Sequence, residues 1–287
     1  MKENKILNFE KKENNLFYMI KNNDLYELLK DNLLKSKFFK EIQIKKDDPY
    51  KNILNKNYDL IINSDSNNLL AKKYFSKRID KNYENIAYTT ILKHEKIINQ
   101  TAIQIFTEFG PIAFLPISEM KTSVVCSLET SNKKFKDEEV IDLIKRYNPK
   151  FKIKKILKLD NFKLKSSNLR NYYYKNILAF GDSNHRIHPL AGQGFNMTIR
   201  DIQTLSNIIQ KKINLGIQLD ELILEEFEKK TKSLNLIFSS GIDFIYEFFN
   251  FDKKIKNQNL SKIIRYFGKN KKLQDIIIKI ADKGIVI

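Results

Sequence analysis

The scarcity and placement of glycine constrain this chain more than any other feature of its sequence. Only eight glycines occur in 287 residues, and the first of them is Gly110. Phosphate-binding loops need glycine because their backbone must approach the phosphate closely or take up positive φ angles. Neither GxGxxG nor GxxxxGKS/T occurs anywhere in the chain. The sequence therefore excludes a self-contained dinucleotide-binding fold.

The composition is that of a folded protein without a disulfide framework. Hydrophobic residues make up 42% and charged residues 30% of the chain, and no apolar run approaches the roughly 18–20 residues of a membrane-spanning helix. The single cysteine, Cys126, excludes an internal disulfide and a cysteine-rich zinc site. The polar N-terminal stretch lacks the apolar core of a secretion signal. We expect a cytoplasmic protein of one or two domains.

The net charge of +18 comes from 52 basic and 34 acidic residues, and its distribution argues against a nucleic-acid ligand. Only six of the basic residues are arginine, and the lysines are spread along the whole chain. Nucleic-acid sites favour clustered arginines with stacking aromatic residues. A solvated lysine surface is the ordinary interpretation. A basic face that rests on an anionic membrane is the alternative.

Hydrophobic periodicity predicts a mixed α/β (α+β) fold. Helices are expected at 16–38 and 137–147, from Gln193 to a cap at Gly216, and as several amphipathic helices within 220–287. Strands are expected, in chain order, at 41–45, 58–63, 86–94, 101–108, 112–117, 123–128 and 177–180. Gly110-Pro111 is the expected turn of a hairpin within this strand-rich region.

Residues 176–201 carry the strongest chemical signal, because a buried strand runs through two glycine-containing turns into a helix. Asp182 lies just beyond the carboxyl end of the strand, where ligands collect in α/β sheets. Gly192 and Gly194 have no Cβ, so their backbone can approach a flat ligand. The helix that starts near Gln193 offers free N–H groups and partial positive charge to an electron-rich oxygen. The alternative is an ordinary strand-to-helix connection with turn glycines.

The run GDSNHRIHPLAGQGFNMTIRD, residues 181–201, closely resembles the GDxxHxxxPxxGQGxNxxxxD motif of class A FAD-dependent aromatic hydroxylases. The ubiquinone-biosynthesis hydroxylases, which act on polyprenylated phenols, match best. Supporting blocks follow in the family's order: LFYMIKNNDLYELL, YDLIINSDS, FTEFGPIAFLPI and SVVCSLE. The resemblance covers roughly residues 16–287.

This resemblance implies a set of flavin-binding residues. Asp182, with Gly181, would hold the ribityl chain of FAD. Pro189, Gly192, Gln193 and Gly194 would line the isoalloxazine ring, and Asn196 would lie next to it. Asp65 stands where the family has a second conserved carboxylate. The resemblance implies neither a protein nucleophile nor a metal, and the pair Arg200-Asp201 is expected to be structural.

The sequence also departs from the family pattern. The strand, GxGxxG loop and helix that bind the ADP half of FAD are missing, so we expect an N-terminally truncated member. Around Asp65 both glycines and the serine of the family motif are replaced, and Lys72 stands in place of its arginine. The expected organisation is a partial FAD-binding domain (1–84), a β-sheet substrate domain (85–170), a return to the FAD-binding domain (171–216) and a C-terminal helical region (217–287).

The function implied is that of an FAD-dependent monooxygenase of ubiquinone biosynthesis that uses NAD(P)H and O2 to hydroxylate a polyprenylated phenol. Basic helices within 220–287 could hold it at the inner face of a membrane. The alternative is a truncated, non-catalytic member that acts as a partner in a ubiquinone-biosynthesis complex.

The remaining candidate residues favour structural roles. His185 and His188 stand three residues apart without further metal ligands nearby in the sequence, so we expect no metal site. His185 matches the family's motif histidine and is expected to form a structural hydrogen bond near the flavin. Cys126 is expected to be an inert buried thiol. The run Tyr172-Tyr173-Tyr174 favours aromatic packing over a substrate channel.

Overall fold

The computed structural model describes residues 16–43, 50–54, 56, 58–131, 133–188 and 192–255. These residues divide into two compact units, one ending at Tyr58 and the other beginning at Asp59. None of the described helices is long and apolar enough to cross a membrane. The predicted fold class is confirmed, since the chain combines helices with one antiparallel sheet and one small mixed sheet.

The first unit contains helix α1 (Asn22–Leu34) and the single turn α2 (Lys51–Leu54). Helix α1 lies inside the predicted range 16–38, and none of its residues is buried. Lys21 and Asp24 form an exposed ion pair of 3.2 Å at its start. Residues 41–43 form no strand, and the rest of the strand predicted at 41–45 lies outside the described residues.

The larger sheet of the second unit has seven strands, all paired antiparallel. Its members are β2 (Arg78–His94), β3 (Ile103–Thr107), β4 (Gly110–Ser118), β5 (Lys121–Glu129), β6 (Ile153–Ile156), β7 (Asp160–Leu169) and β10 (His185–Arg186). The order is β10-β7-β2-β5-β4-β3, and β6 pairs with the end of β2 beyond β7. Strand β2 is longer than the predicted 86–94 because its first half pairs with β7 alone.

Helix α4 (Asp137–Arg146) covers one face of this sheet, and it matches the predicted helix at 137–147. Its buried residues Val140 and Ile144 join Phe114, Val124 and other sheet residues in one hydrophobic cluster. Each such buried side chain contributes about 1.5–3 kcal/mol relative to an exposed one. The helix begins with three acidic residues and ends with two basic ones, which suits the helix dipole.

The turn between β3 and β4 differs from the prediction. It is formed by Glu108 and Phe109, whereas Gly110 and Pro111 already belong to β4. Gly110 has φ +132°, and a Cβ placed on it would lie 2.0 Å from the carbonyl oxygen of Ser127 in β5. The glycine therefore permits the close approach of two strands and does not form the turn itself.

The smaller sheet has three strands in the order β1-β9-β8. Strands β1 (Ile61–Asn63) and β9 (Ile177–Ala179) are parallel, and β8 (Tyr173–Tyr174) pairs antiparallel with β9. Strands β1 and β9 lie within the predicted strands at 58–63 and 177–180, whereas β8 was not predicted. Among the described strands, β1 has a hydrogen-bonded neighbour on one side only.

Three helices accompany the smaller sheet: α3 (Leu69–Tyr74), α5 (Gly194–Asn214) and α6 (Glu221–Ile255). Leu178 of β9, Leu205 of α5 and Phe227 of α6 belong to one buried cluster. Gly216 follows α5 with φ +64°, in agreement with the predicted cap. Several helices were expected within 220–287, but residues 221–255 form a single helix of 35 residues. The remainder lies outside the described residues.

We predict that Gly110→Ala lowers the free energy of unfolding by about 2–4 kcal/mol, because the added methyl group meets the β5 backbone and the φ angle is unfavourable for alanine. Urea denaturation measures this loss. The matched control is Gly241→Ala in α6, where a Cβ meets nothing within 4 Å. Its expected effect is a gain of up to about 1 kcal/mol from helix propensity. Equal effects of the two substitutions would contradict the prediction.

Candidate functional site

The turn after β9 presents a carboxylate at the carboxyl end of the parallel strand pair. The Phe180 N–H donates to Asn63 O at 2.9 Å, which extends the β1–β9 pairing by one residue. Gly181–Ser183 then form a short 3-10 turn, in which Gly181 has φ +59°. The Asp182 side chain is 72% exposed, and its carboxylate lies 3.6 Å from Arg186 Nη2. The backbone of Asp182 is thus placed by the turn, and its carboxylate is accessible to a ligand.

The start of helix α5 lies beside this turn and has no side-chain cap. Gln193 makes no capping hydrogen bond, and the Met197 N–H already bonds to Gln193 O at 3.0 Å. The N–H groups of the first turn, Gly194 to Asn196, therefore have no acceptor within the helix. A Cβ placed on Gly181 would lie 3.6 Å from Thr198 Cγ2 of α5, so the turn and the helix start are in contact.

Gly192 leaves open space in front of this helix start. It has φ +61°, and a Cβ placed on it would meet nothing within 4 Å. Asn196 Nδ2 donates to Gln193 Oε1 at 3.1 Å on the exposed side of the first turn. The structure thus brings Gly181 and Asp182 together with the segment from Gly192 to Asn196. Pro189, which was predicted to line the ring, lies outside the described residues.

The buried carboxylate of Asp201 connects the elements around the site. His185 Nε2 donates to Asp201 Oδ2 at 2.7 Å, and both side chains are almost completely buried. Asn235 Nδ2 donates to both Asp201 oxygens, at 3.1 and 3.2 Å. Asp201 thereby ties α5 to β10 and α6. Both expectations, a hydrogen-bonding His185 and a structural Asp201, agree with these contacts.

Arg78 is a residue that sequence reasoning missed. It lies at the start of β2, where its Nη1 donates to Ser167 Oγ at 3.0 Å and its Nη2 donates to Ser183 O at 2.5 Å. Burial lowers the pKa of its guanidinium. Three of the six arginines, Arg78, Arg186 and Arg200, lie around the turn and the helix that follows. In a chain that otherwise uses lysine, the scarcity of arginine was the available signal.

His188 packs against the larger sheet. Its ring is edge-on to Tyr83, with 4.6 Å between the centroids, and the Tyr83 hydroxyl donates to Asp243 of α6. Burial, with a smaller contribution from the charge of Lys81, lowers the pKa of His188 to about 4. The imidazole is therefore neutral at physiological pH.

Side chains of the loop after β1 form hydrogen bonds within the loop itself. Asp65 Oδ1 accepts the Asn67 N–H at 2.8 Å, and Asn63 Nδ2 donates to Asp65 O at 3.1 Å. Asn68 caps α3 by accepting the Ala71 N–H at 2.8 Å. The Asp65 loop leaves the sheet at the same edge as the Asp182 turn, because β1 and β9 are parallel neighbours. Part of the Asp65 carboxylate is already engaged within its own turn.

The remaining candidates, Cys126 and the tyrosine run at 172–174, have surroundings that favour structural roles. Burial raises the pKa of the Cys126 thiol to about 12, which leaves it protonated and unreactive. Tyr74 and Tyr174 stack with 4.4 Å between the ring centroids, and Tyr172 packs against Phe227. Within the described residues, no group of three His, Cys, Asp or Glu side chains could hold a metal ion.

Sequence comparisons match one family model and several curated proteins. The sequence model of the FAD binding domain family matches residues 61–223. The mitochondrial ubiquinone biosynthesis monooxygenase COQ6 of Dictyostelium discoideum is 29% identical over 178 residues, which are 58% of this chain and 34% of that protein. The 3-demethoxyubiquinol 3-hydroxylase of Escherichia coli is 28% identical over 156 residues, 51% of this chain and 39% of that protein.

Solved structures show the same fold at low identity. The p-nitrophenol 4-monooxygenase PnpA of Pseudomonas putida superposes with a TM-score of 0.63 at 14% identity, over 78% of this chain and 59% of that one. CabE, an aromatic hydroxylase from angucycline biosynthesis, gives a TM-score of 0.57 at 13% identity, over 78% and 46%. The chain spans between about a third and a half of the length of its first curated relatives.

The site fits one half of FAD better than the other. The open backbone at Gly192, the exposed Asp182 carboxylate and the uncapped start of α5 suit a flat ring with a hydroxylated chain. Asp65 is the single predicted residue on the side of the ADP half, and its loop contains no glycine. The contacts that the described residues offer therefore suit a flavin ring and ribityl chain better than the ADP half.

We predict that Asp201→Ala lowers the free energy of unfolding by about 3 kcal/mol, because it leaves His185 and Asn235 buried without their shared acceptor. Asp182→Ala is the matched control, and it should change stability by less than about 0.5 kcal/mol because the carboxylate is exposed. Thermal and urea denaturation of the two variants provide the measurement. A stability loss as large for Asp182→Ala as for Asp201→Ala would contradict these assignments.

The low pKa of His188 predicts a pH-dependent stability. The unfolded chain takes up a proton near pH 6.5, whereas the folded protein does so only near pH 4, so stability falls as pH falls through this window. Lowering the pH from 6.5 to 4.5 should cost wild type about 2 kcal/mol more than His188→Phe. Urea denaturation of both proteins at the two pH values measures the difference. An equal pH dependence would contradict the prediction.

Proposed function

Because the chain belongs to the FAD binding domain family, we propose that it binds the flavin of FAD between the Asp182 turn and the start of α5. We further propose that it acts as an FAD-dependent monooxygenase that hydroxylates a polyprenylated phenol in ubiquinone biosynthesis, with NAD(P)H as the reductant and O2. Ubiquinone biosynthesis comes from its relatives, among them the ubiquinone biosynthesis monooxygenase COQ6 of Dictyostelium discoideum, and the polyprenylated phenol comes from the motif resemblance.

The exposed Asp182 carboxylate beside the uncapped helix start carries this proposal. An ionised carboxylate accepts hydrogen bonds from hydroxyl groups, and such charge-assisted bonds are about twice as strong as neutral ones. Arg186 lies 3.6 Å from the carboxylate and leaves it 72% exposed. Asp182 and Gly181 would therefore hold the ribityl chain.

The first turn of α5 would stabilise negative charge on the bound ring. When bound, FAD supplies electron transfer from the reductant and activation of O2. The N–H groups of Gly194 to Asn196 point out of the N-terminal end of α5. The dipole of this 21-residue helix concentrates partial positive charge there. Gly192, Gln193 and Gly194 would line the ring, with Asn196 beside it. Pro189 remains a proposed neighbour of the ring, and Asp65 remains a proposed contact for the remainder of the cofactor.

The seven-stranded sheet is the proposed substrate-binding part, and it includes most of residues 85–170. Arg78 of this sheet donates a hydrogen bond to Ser183 O in the Asp182 turn. This bond connects the sheet to the proposed flavin-binding segment. This link would keep a phenol bound on the sheet in a constant orientation toward the ring, as oriented catalysis requires.

A non-catalytic function is the second candidate, and the open edge of β1 favours it. Among the described strands, β1 pairs only with β9, and an unpaired edge can bind a strand from another chain. The given sequence also contains no glycine-rich phosphate-binding loop. Under this alternative, the protein acts as a partner in a ubiquinone-biosynthesis complex.

FAD binding separates the two candidates. We expect FAD to bind the purified chain with quenching of flavin fluorescence, and Asp182→Ala to weaken that binding roughly 10- to 100-fold through the loss of a charged hydrogen bond. Asp142→Ala, which removes an exposed carboxylate from α4, is the control and should bind as wild type does. A colourless protein that takes up no FAD would favour the non-catalytic function.

Turnover tests the monooxygenase proposal. With FAD, NADPH and a short-chain prenylated phenol, we expect oxygen consumption that depends on the phenol and yields a product one oxygen heavier by mass spectrometry. FAD binding without any phenol-dependent oxygen uptake would contradict the proposed activity while leaving the flavin site intact.

Membrane contact through the basic C-terminal helices remains a proposal with limited support in the described part of α6. Lys229, Lys230 and Lys232 each pair with a glutamate one turn earlier, at 2.6, 2.7 and 2.5 Å. These pairs offset the positive charge of this part of the helix, so it is poorly suited to bind an anionic surface.

A further inference from the structure

Three lysines lie side by side across neighbouring strands at one end of the seven-stranded sheet. Lys93 of β2 pairs in register with Lys121 of β5 on one side and with Lys155 of β6 on the other. Directly opposed residues project from the same face, with Cβ atoms about 4.5–5.5 Å apart. We call Lys121, Lys93 and Lys155 the lysine row.

The lysine row is not neutralised by nearby acidic residues. None of its three members forms an ion pair with a carboxylate of the described residues. The two glutamates at this end of the sheet are already engaged, Glu119 with Lys96 at 2.9 Å and Glu95 with Lys152 at 3.4 Å. Like charges directly opposite each other destabilise a sheet. The three lysines therefore add repulsion to this end of the sheet, and an anionic ligand would relieve it.

The row lines a hollow of about 500 Å³. Lys154 joins it, because the register of β2 and β6 shifts between Lys93 and His94 and leaves Lys154 as an extra residue. His94 forms part of the floor, held by hydrogen bonds to Glu95 O at 2.7 Å and to Thr122 Oγ1 at 3.0 Å. Four lysines thus line the hollow together with Glu119, and its volume is large enough for a phosphate group.

Exposed apolar side chains stand at the rim of the hollow. Met120 lines it and is 49% exposed, and Ile98 is 80% exposed. The segment around Ile98 runs beside the β4–β5 turn, since the Ile97 N–H donates to Glu119 O at 3.0 Å and Asn99 Nδ2 donates to Ser118 O at 2.9 Å. Lysines beside exposed apolar residues are typical of a surface that rests on a lipid interface.

We propose that the lysine row binds phosphate groups, and that these belong to anionic lipid headgroups on which the Met120–Ile98 rim rests. A nucleic acid is a poorer match, since the hollow contains neither arginine nor an aromatic side chain other than His94. The proposal does not depend on flavin binding or on hydroxylation, so each can fail without the other.

Vesicle co-sedimentation tests the proposal with the full chain. Wild type should bind vesicles that contain one-third phosphatidylglycerol in phosphatidylcholine, and should not bind phosphatidylcholine alone. The variant Lys93→Gln/Lys121→Gln/Lys155→Gln should bind the anionic vesicles at least tenfold more weakly. The control Lys163→Gln/Lys165→Gln/Lys211→Gln removes the same net charge from exposed positions elsewhere and should stay within twofold of wild type. Equal losses in the two variants would overturn the proposal.

Two further measurements complete the test. The lysine-row variant should have a higher urea midpoint than wild type, because like-charge repulsion is removed; a lower midpoint would assign the row to the fold and overturn the proposal. Calorimetric titration with inorganic pyrophosphate distinguishes the phosphate source. Binding of pyrophosphate without binding of anionic vesicles supports a phosphate site and overturns the lipid assignment. Binding of neither probe, or tighter binding of an oligonucleotide than of vesicles, overturns the proposal altogether.

Discussion

The buried Asp201 carboxylate is the contact on which the geometry of the site depends. It accepts hydrogen bonds from His185 and from Asn235, so a single side chain joins the loop after β9, the helix α5 and the helix α6. Burial of an ionisable group is costly unless every lone pair finds a donor. Because the partners of Asp201 lie in β10 and in α6, the helix α5 is held beside the turn that precedes β10. The exposed residues of the site then remain available to bind a ligand.

Local features of the site could be predicted from the sequence. The order strand, Gly-Asp turn, Gly-x-Gly turn and helix follows from backbone preferences of glycine and from hydrophobic periodicity, and the structure reproduces it. The family resemblance is confirmed by the FAD binding domain match and by relatives from ubiquinone biosynthesis. The named flavin contacts stay predictions, because only an experiment with bound flavin tests them.

Features that depend on distant residues could not be predicted. Arg78 reaches the turn from more than a hundred residues away, and Gly110 is needed because the β5 backbone passes beside it. The lysine row exists only through the register of three strands, and each lysine alone looks like ordinary solvated surface. The single long helix at 221–255 was predicted as several helices, although the segment has no proline and its three i,i+4 Glu–Lys pairs favour a continuous helix around 225–232. Such contacts arise from tertiary pairing, about which local patterns carry little information.

The central claim is that the backbone from Gly181 to Gly194 receives a flavin ring and its ribityl chain. Amide chemical shifts of the ¹⁵N-labelled chain during titration with riboflavin, which lacks the ADP half, test it most directly. The account predicts saturable shifts at Gly181, Asp182, Gly192 and Gly194, with none at Gly110 or Gly216. Riboflavin that leaves those four amides unchanged, or shifts only residues elsewhere, would contradict it.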